Sequence, residues 1–246
     1  MDTLTQCYGA LKQWYGGLAP STLAQWAGAA GTFCVVALAL FRDLILGWWR
    51  RPKLVATCTK EMPCTVKVES IAWPGKYSDK IRWKGDRYFV RIRVFNDGKA
   101  RAEKIQVTVS KLAKRGLDEK FEDIRTILPL NLKWSNSPPE GAVTILDGIS
   151  SKMLAFCDVI SLWNPANPHQ RRPADTPDNA TVGQLELEVP MPNDTDLLPP
   201  GTYRLTIRIA AANREPIERE LEFKHTGAWI DDDVTMRRDC LAISLK

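Results

Sequence analysis

The hydrophobic pattern of this chain changes once, near Pro52, and its two parts predict two different structures. No charged residue stands between Gln13 and Phe41, and the most apolar stretch runs from Leu23 to Phe41. Nineteen helical residues at about 1.5 Å each cover roughly 29 Å, close to the hydrocarbon thickness of a bilayer. Trp14, Tyr15 and Trp26 lie toward one end of this stretch and Trp48 and Trp49 toward the other, as aromatic belts do. The pattern predicts a single transmembrane helix. Leu44–Trp49 continues it as a turn or two at headgroup level, and Pro52 ends it. The expected division is a short tail over 1–21, a span with its interfacial collar over 22–52, and a domain over 53–246.

Two other readings of the apolar stretch are weaker. A cleaved signal peptide needs a basic leader and a small-residue cleavage site after the run, whereas Ala37-Leu38-Ala39 lies inside it. A buried core helix would suit the Ala- and Gly-rich half, Leu23–Gly31, but not the half that follows. Ala24, Gly28 and Thr32 recur every four residues, as do Ala27 and Gly31, a spacing that lets two such helices pair into a homodimer.

Beyond Pro52 the period falls to two. Tyr88, Val90, Ile92 and Val94 point one way, with Arg87, Phe89, Arg91, Arg93 and Phe95 opposite. Asn96-Asp97-Gly98-Lys99 reads as a turn into a second strand carrying Ile105, Val107 and Val109, which predicts a hairpin with one buried face. Leu185, Leu187 and Val189 alternate with Glu186 and Glu188. Tyr203–Ile209 alternates after Pro199-Pro200-Gly201, and Asn213–Pro216 leads to Leu221 and Phe223. Lys53–Cys58, Thr65–Val68, Val143–Leu146 and Leu241–Leu245 are weaker strand candidates. Asp231-Asp232-Asp233 can cap a short helix through Asp239. Asn164–Ala180, rich in proline, reads as a long exposed loop. Many short strands with turns between them predict a mainly β fold, a β-sandwich behind one helix.

Charge changes the picture by its location. The net charge is +5, but Met1–Lys53 carries five basic and two acidic residues, so the rest is only +2. The basicity belongs to the anchor, which removes the case for nucleic acid. Arg42, Arg50, Arg51 and Lys53 follow the span, whereas Asp2 and Lys12 cancel before it. The positive-inside rule then places the C-terminal domain in the cytoplasm, at the inner membrane. Trp48, Trp49, Arg50, Arg51 and Lys53 are the predicted membrane-interface residues, with the lipid bilayer as their partner.

The search for chemistry returns little. The only histidines are His169, in the Pro-rich loop, and His225, whose parity with Leu221 and Phe223 predicts a hydrogen-bonded, partly buried ring. There is no phosphate-binding, dinucleotide or zinc-protease motif, so no catalytic residue, cofactor or metal is expected. Cys58 and Cys64 are spaced too widely for a common zinc pair, and with Cys157 and Cys240 they read as buried thiols. In an exported protein Cys58–Cys64 and Cys157–Cys240 could be bridges. The outward Arg91, Arg93, Arg204 and Arg208 could line an anionic site. The plainer reading pairs them across strands with Glu186, Glu188, Glu220 and Glu222.

The stretch from Tyr88 to Val107, with its Asn-Asp-Gly-Lys turn, resembles the strand–turn–strand unit of bacterial immunoglobulin-like domains of the CARDB kind, and Pro200–Ile207 resembles a late strand of such domains. The chain is also similar to bacterial single-pass membrane proteins of unknown activity. The resemblance implies an immunoglobulin-like β-sandwich that binds or spaces rather than catalyses. The expected function is a membrane-anchored, non-enzymatic interaction or sensor module for an unidentified protein or small ligand. The alternative is an exported, disulfide-bonded structural or adhesive protein.

Overall fold

The computed structural model describes residues 20–49, 51–72, 83–124, 129–135, 144–167, 171–189, 191 and 194–246, and within the helix the side chains of 24–42. The chain forms two compact units, Met1–Arg50 and Arg51–Lys246. In the first, helix α1 spans Pro20–Trp49, with proline in its opening turn, where the missing N–H costs nothing. Ala24–Arg42 is long and apolar enough to cross a membrane. Its described side chains are exposed apart from the half-buried Ala37, and Thr32 Oγ1 donates to Gly28 O at 2.9 Å, so its hydroxyl is satisfied inside the helix.

The second unit is a β-sandwich of two antiparallel sheets. The first contains β1 (Leu54–Thr57), β2 (Thr65–Ala72), β3 (Trp83–Asn96), β7 (Lys133–Trp134), β9 (Leu154–Trp163), β10 (Gly183–Leu185) and β11 (Leu197–Leu198). The second contains β4 (Ala102–Arg115), β5 (Phe121–Asp123), β6 (Leu130–Asn131), β8 (Ile145–Ile149), β12 (Gly201–Ala211), β13 (Arg214–His225) and β14 (Leu241–Leu245). One edge of β3 is shared by β1 and β2, and its other edge carries β9, which in turn pairs with β7. Opposite, β4 pairs with β12 and β12 with β13. Read in chain order, these neighbours reproduce the ABED and CFG sheets of an immunoglobulin-like sandwich. The core draws on both: Tyr88, Val90 and Ile92 from the first sheet, Leu205, Ile207 and Phe223 from the second, all fully buried. Each such side chain contributes roughly 1.5–3 kcal/mol through burial.

Tyr203 adds a hallmark of this topology. It is buried at the start of β12, and its hydroxyl donates to Pro199 O at 2.7 Å, tying the strand to the corner that precedes it.

The Asn96–Lys99 turn does not close a hairpin. β3 and β4 lie in different sheets, so the turn is a corner between layers, and each strand buries its apolar face from its own side. Asn96 holds this corner. Its buried Oδ1 accepts from Lys53 N at 3.1 Å and Gly98 N at 3.0 Å, and its Nδ2 donates to Ala100 O at 2.7 Å and Ile149 O at 2.9 Å. A Cβ on Gly98 would stand 2.3 Å from Lys53 N, which is why the entering chain can pass so close. By contrast, Tyr203–Ile209 and Leu221–Phe223 do form a hairpin, β12–β13, and β14 covers the expected Leu241–Leu245.

The central strand β9 had no counterpart in the sequence reading. A bulge opposite Val90–Arg91 makes Val159 an extra residue, so Val159 and Ile160 are both buried in succession and the alternation breaks. The Leu185–Val189 stretch is not a strand of that length either. β10 stops at Leu185, Leu187 makes one bridge to Leu132, and Glu186 is covered to 8% exposure. The Pro-rich segment is irregular, as expected, but only partly exposed. Asn167 and Thr176 are buried, and Arg172 donates to Pro165 O at 2.6 Å and Pro177 O at 3.2 Å, gathering the loop. Near the C-terminus Asp232 caps the turn α2 (Asp233–Thr235), accepting from Thr235 N at 2.8 Å, and a wider helical turn carries on through Cys240.

Candidate functional site

Two clefts of the sandwich gather polar side chains. The first, of about 210 Å³, lies on the outer face of the first sheet and is lined by Arg87, Lys133, Trp163, Gln184–Leu187 and Asp196. β3 and β9 supply Arg87 and Trp163 as a directly opposed pair, and the guanidinium stacks 4.0 Å from the Trp163 ring and 4.5 Å from Phe89. Its Nη2 donates to both Ser161 Oγ and Glu186 Oε1, and Ser161 Oγ donates to the same carboxylate oxygen at 2.6 Å. Burial pulls the Arg87 guanidinium below its ordinary value, opposed first by Glu186 and then by Asp158. Asp196, 1% exposed, accepts from Gln184 Nε2 at 3.1 Å and from Arg171 Nη2 at 3.1 Å. Both carboxylates are thus committed to arginines, and the cleft is a cross-linked polar seam that fixes the Pro-rich loop to the sheet.

The other outward arginines divide. Arg91 Nε donates to Asp158 at 2.7 Å, and Ser135 Oγ reaches the same oxygen at 2.6 Å. Arg204 pairs with Glu222 at 3.8 Å and stacks on Phe121 at 3.8 Å. Arg208 faces Glu218 across the ladder. Arg93 donates to Thr57 Oγ1 at 3.0 Å. Cross-strand pairing is therefore the rule on this surface, but Glu186 serves Arg87 rather than Arg91 or Arg93, and Glu188 accepts from Asn131 Nδ2 at 2.9 Å.

The second cleft, of about 480 Å³, is lined by Arg51 and Ala212–Glu215 and lies where the chain enters the sandwich. Arg214 Nη1 donates to Pro52 O, fastening the entering strand to the β12–β13 turn. Arg51 and Lys53 are exposed here, Lys53 lying 3.7 Å from Asp97. Of the other predicted interface residues, Trp48 and Trp49 close α1, while their side chains and Arg50 lie outside the described residues.

His225 is more enclosed than its parity suggested, at 2% exposure. Its Nε2 lies 3.0 Å from Leu198 O, its ring packs 5.5 Å from Phe223, and burial lowers its pKa to about 4. It is a neutral structural ring. His169 lies outside the described residues. Cys58, Cys64, Cys157 and Cys240 are buried, unbridged thiols, and burial raises Cys58 and Cys157 well above the ordinary range. Among the described residues no three His, Cys, Asp or Glu side chains converge to hold a metal. Comparison of the chain with family models, curated proteins and solved structures gave no match.

Proposed function

We propose that this chain is a membrane-anchored, non-enzymatic interaction or sensor module, in which α1 crosses the bilayer once and presents the immunoglobulin-like sandwich at the cytoplasmic face. The observation that carries this reading is α1 itself. The nineteen residues Ala24–Arg42, uncharged before Arg42, belong to a compact unit of their own, and their large side chains stay uncovered, Phe33 at 74% and Leu40 at 71%. An apolar helix left bare by its own chain needs lipid or another helix around it. The orientation rests on Arg42, Arg50, Arg51 and Lys53 after the span. The four buried thiols suit a reducing compartment. The CARDB-like resemblance of Tyr88–Val107 implies a domain that binds or spaces rather than catalyses.

The test uses the full chain with Cys7 and Cys34 changed to Ser and with Leu117, a fully exposed turn residue, replaced by Cys. A membrane-impermeant maleimide should label Leu117→Cys only after cells are permeabilised. Labelling in intact cells would favour the exported structural or adhesive alternative instead.

A further inference from the structure

Four connections meet where the chain enters the sandwich. Leu54 pairs with Asn96, Phe95 with Leu154, Ala102 with Ile149 and Ala211 with Arg214, so the entering strand, the β3–β4 corner, the end of β8, the start of β9 and the β12–β13 turn share one end. They are tied together as well. Ser151 Oγ donates to Gly98 O at 2.7 Å, and Asn213 Nδ2 donates to Arg101 O at 2.9 Å. The end is a fixed platform rather than a set of independent loops.

Its charge is lopsided. Residues 51–53, 97–104, 147–152 and 212–215 carry seven cations against four carboxylates. At the opposite end, the described connections 116–120 and 226–240 carry three cations against six carboxylates, and the loops at 60–63 and 171–180 are balanced. The two aspartates of the entry end are each shared by two cations. Asp97 meets Lys152 at 2.6 Å and Lys53 at 3.7 Å, and Asp147 meets Lys104 at 2.9 Å and Arg101 at 3.1 Å. Beside this rim the outer face of the first sheet ends in an apolar row, Val55–Phe95–Leu154, and Met153 follows it at 60% exposure. Cations around an apolar tip are what an anionic headgroup layer accepts.

Resting on the reading of α1 as a membrane span, we propose that this end of the sandwich is a lipid-docking surface. Lys53, Lys99, Arg101, Lys104 and Lys152 rest on anionic headgroups, and Met153 dips among them. The domain then rests on the bilayer by this end, with its acidic far end turned away from the membrane.

Spin labels on the full chain in liposomes test this. The labels sit at native Cys34, at Met153→Cys or at Leu117→Cys, with Cys7 and, for the last two, Cys34 changed to Ser. Depth is read from collisional access to oxygen against a water-soluble nickel chelate. Cys34 should report hydrocarbon and Leu117 water in every lipid. Met153 should report water in pure phosphatidylcholine and the headgroup layer once phosphatidylglycerol is added, returning to water with Lys99→Glu plus Lys152→Glu or at about 1 M salt. Met153 in water in both lipids, with Cys34 in hydrocarbon, overturns the docking surface alone. Met153 shielded alike in both lipids and in the charge-reversed variant points to a protein partner there and also overturns it. Cys34 in water overturns the span itself.

Discussion

In the far half of the sandwich Arg87 meets one carboxylate, Glu186, and the two side chains are only 13% and 10% exposed. At the entry end Asp147 meets two cations, Arg101 and Lys104, and stays 75% exposed. The same residue types therefore do different things. A one-to-one pair held between Trp163, Phe89 and Ser161 has left water behind and stays matched, because an odd charge there has no solvent to fall back on. A two-to-one pair in water contributes little to stability but leaves a positive field that a distant anion can feel. The buried seam belongs to the fold. The exposed rim keeps its charge in water.

The largest expected effect tests the buried half. Glu186→Ala leaves Arg87 uncompensated and should lower stability by about 3–5 kcal/mol in chemical unfolding. A loss below about 1 kcal/mol would mean that the seam is solvated and the contrast false.

Acid should strike the same half next. The folded-state pKa of His225 is about 4, below its ordinary 6.5, so the unfolded chain binds this proton more readily. Its contribution is therefore full above about pH 6.5, shrinks as pH falls through the window between the two values, and is spent below about pH 4. Charging the buried ring should cost about 3 kcal/mol over that window. His225→Leu should flatten this part of the pH–stability curve, and an unchanged slope would show that other groups set it.

The smallest effect on folding belongs to the exposed rim. Asp147→Asn should leave the unfolding midpoint unchanged within error, because its partners remain solvated. The same change should tighten association with phosphatidylglycerol surfaces, seen as a Met153 label that reaches the headgroups at lower anionic-lipid content. A destabilised Asp147→Asn would make the rim structural and erase the distinction.

The apolar helix, the mainly β domain, the β12–β13 hairpin, β14 and the Asp232 cap were all legible in the sequence. Each depends on residues close along the chain: an uninterrupted apolar run, an alternation of period two, or a carboxylate three residues before a free N–H. β9 was not legible, because its bulge places Val159 and Ile160 side by side in the core and erases the period. The β3–β4 corner was read as a hairpin because a turn motif says that the chain reverses, not which sheet receives it. The seam around Glu186 was misread for a related reason. Alternation sends Glu186 outward, as found, but does not say that Arg87, 99 residues away, covers it there. The entry platform was half legible, through Arg51 and Lys53. Lys99, Arg101, Lys104 and Lys152 join them only once β3, β4, β8 and β9 are in register.

What the sequence by itself determined is therefore local: a bare apolar helix, a basic collar, and a domain of short strands. The tertiary structure alone decided which charges are neighbours. Whether an arginine is matched and buried or shared and exposed depends on pairings 46 to 99 residues apart, such as Arg101 with Asp147 and Arg87 with Glu186. Such pairings are fixed by sheet register and packing, which no local window of sequence contains.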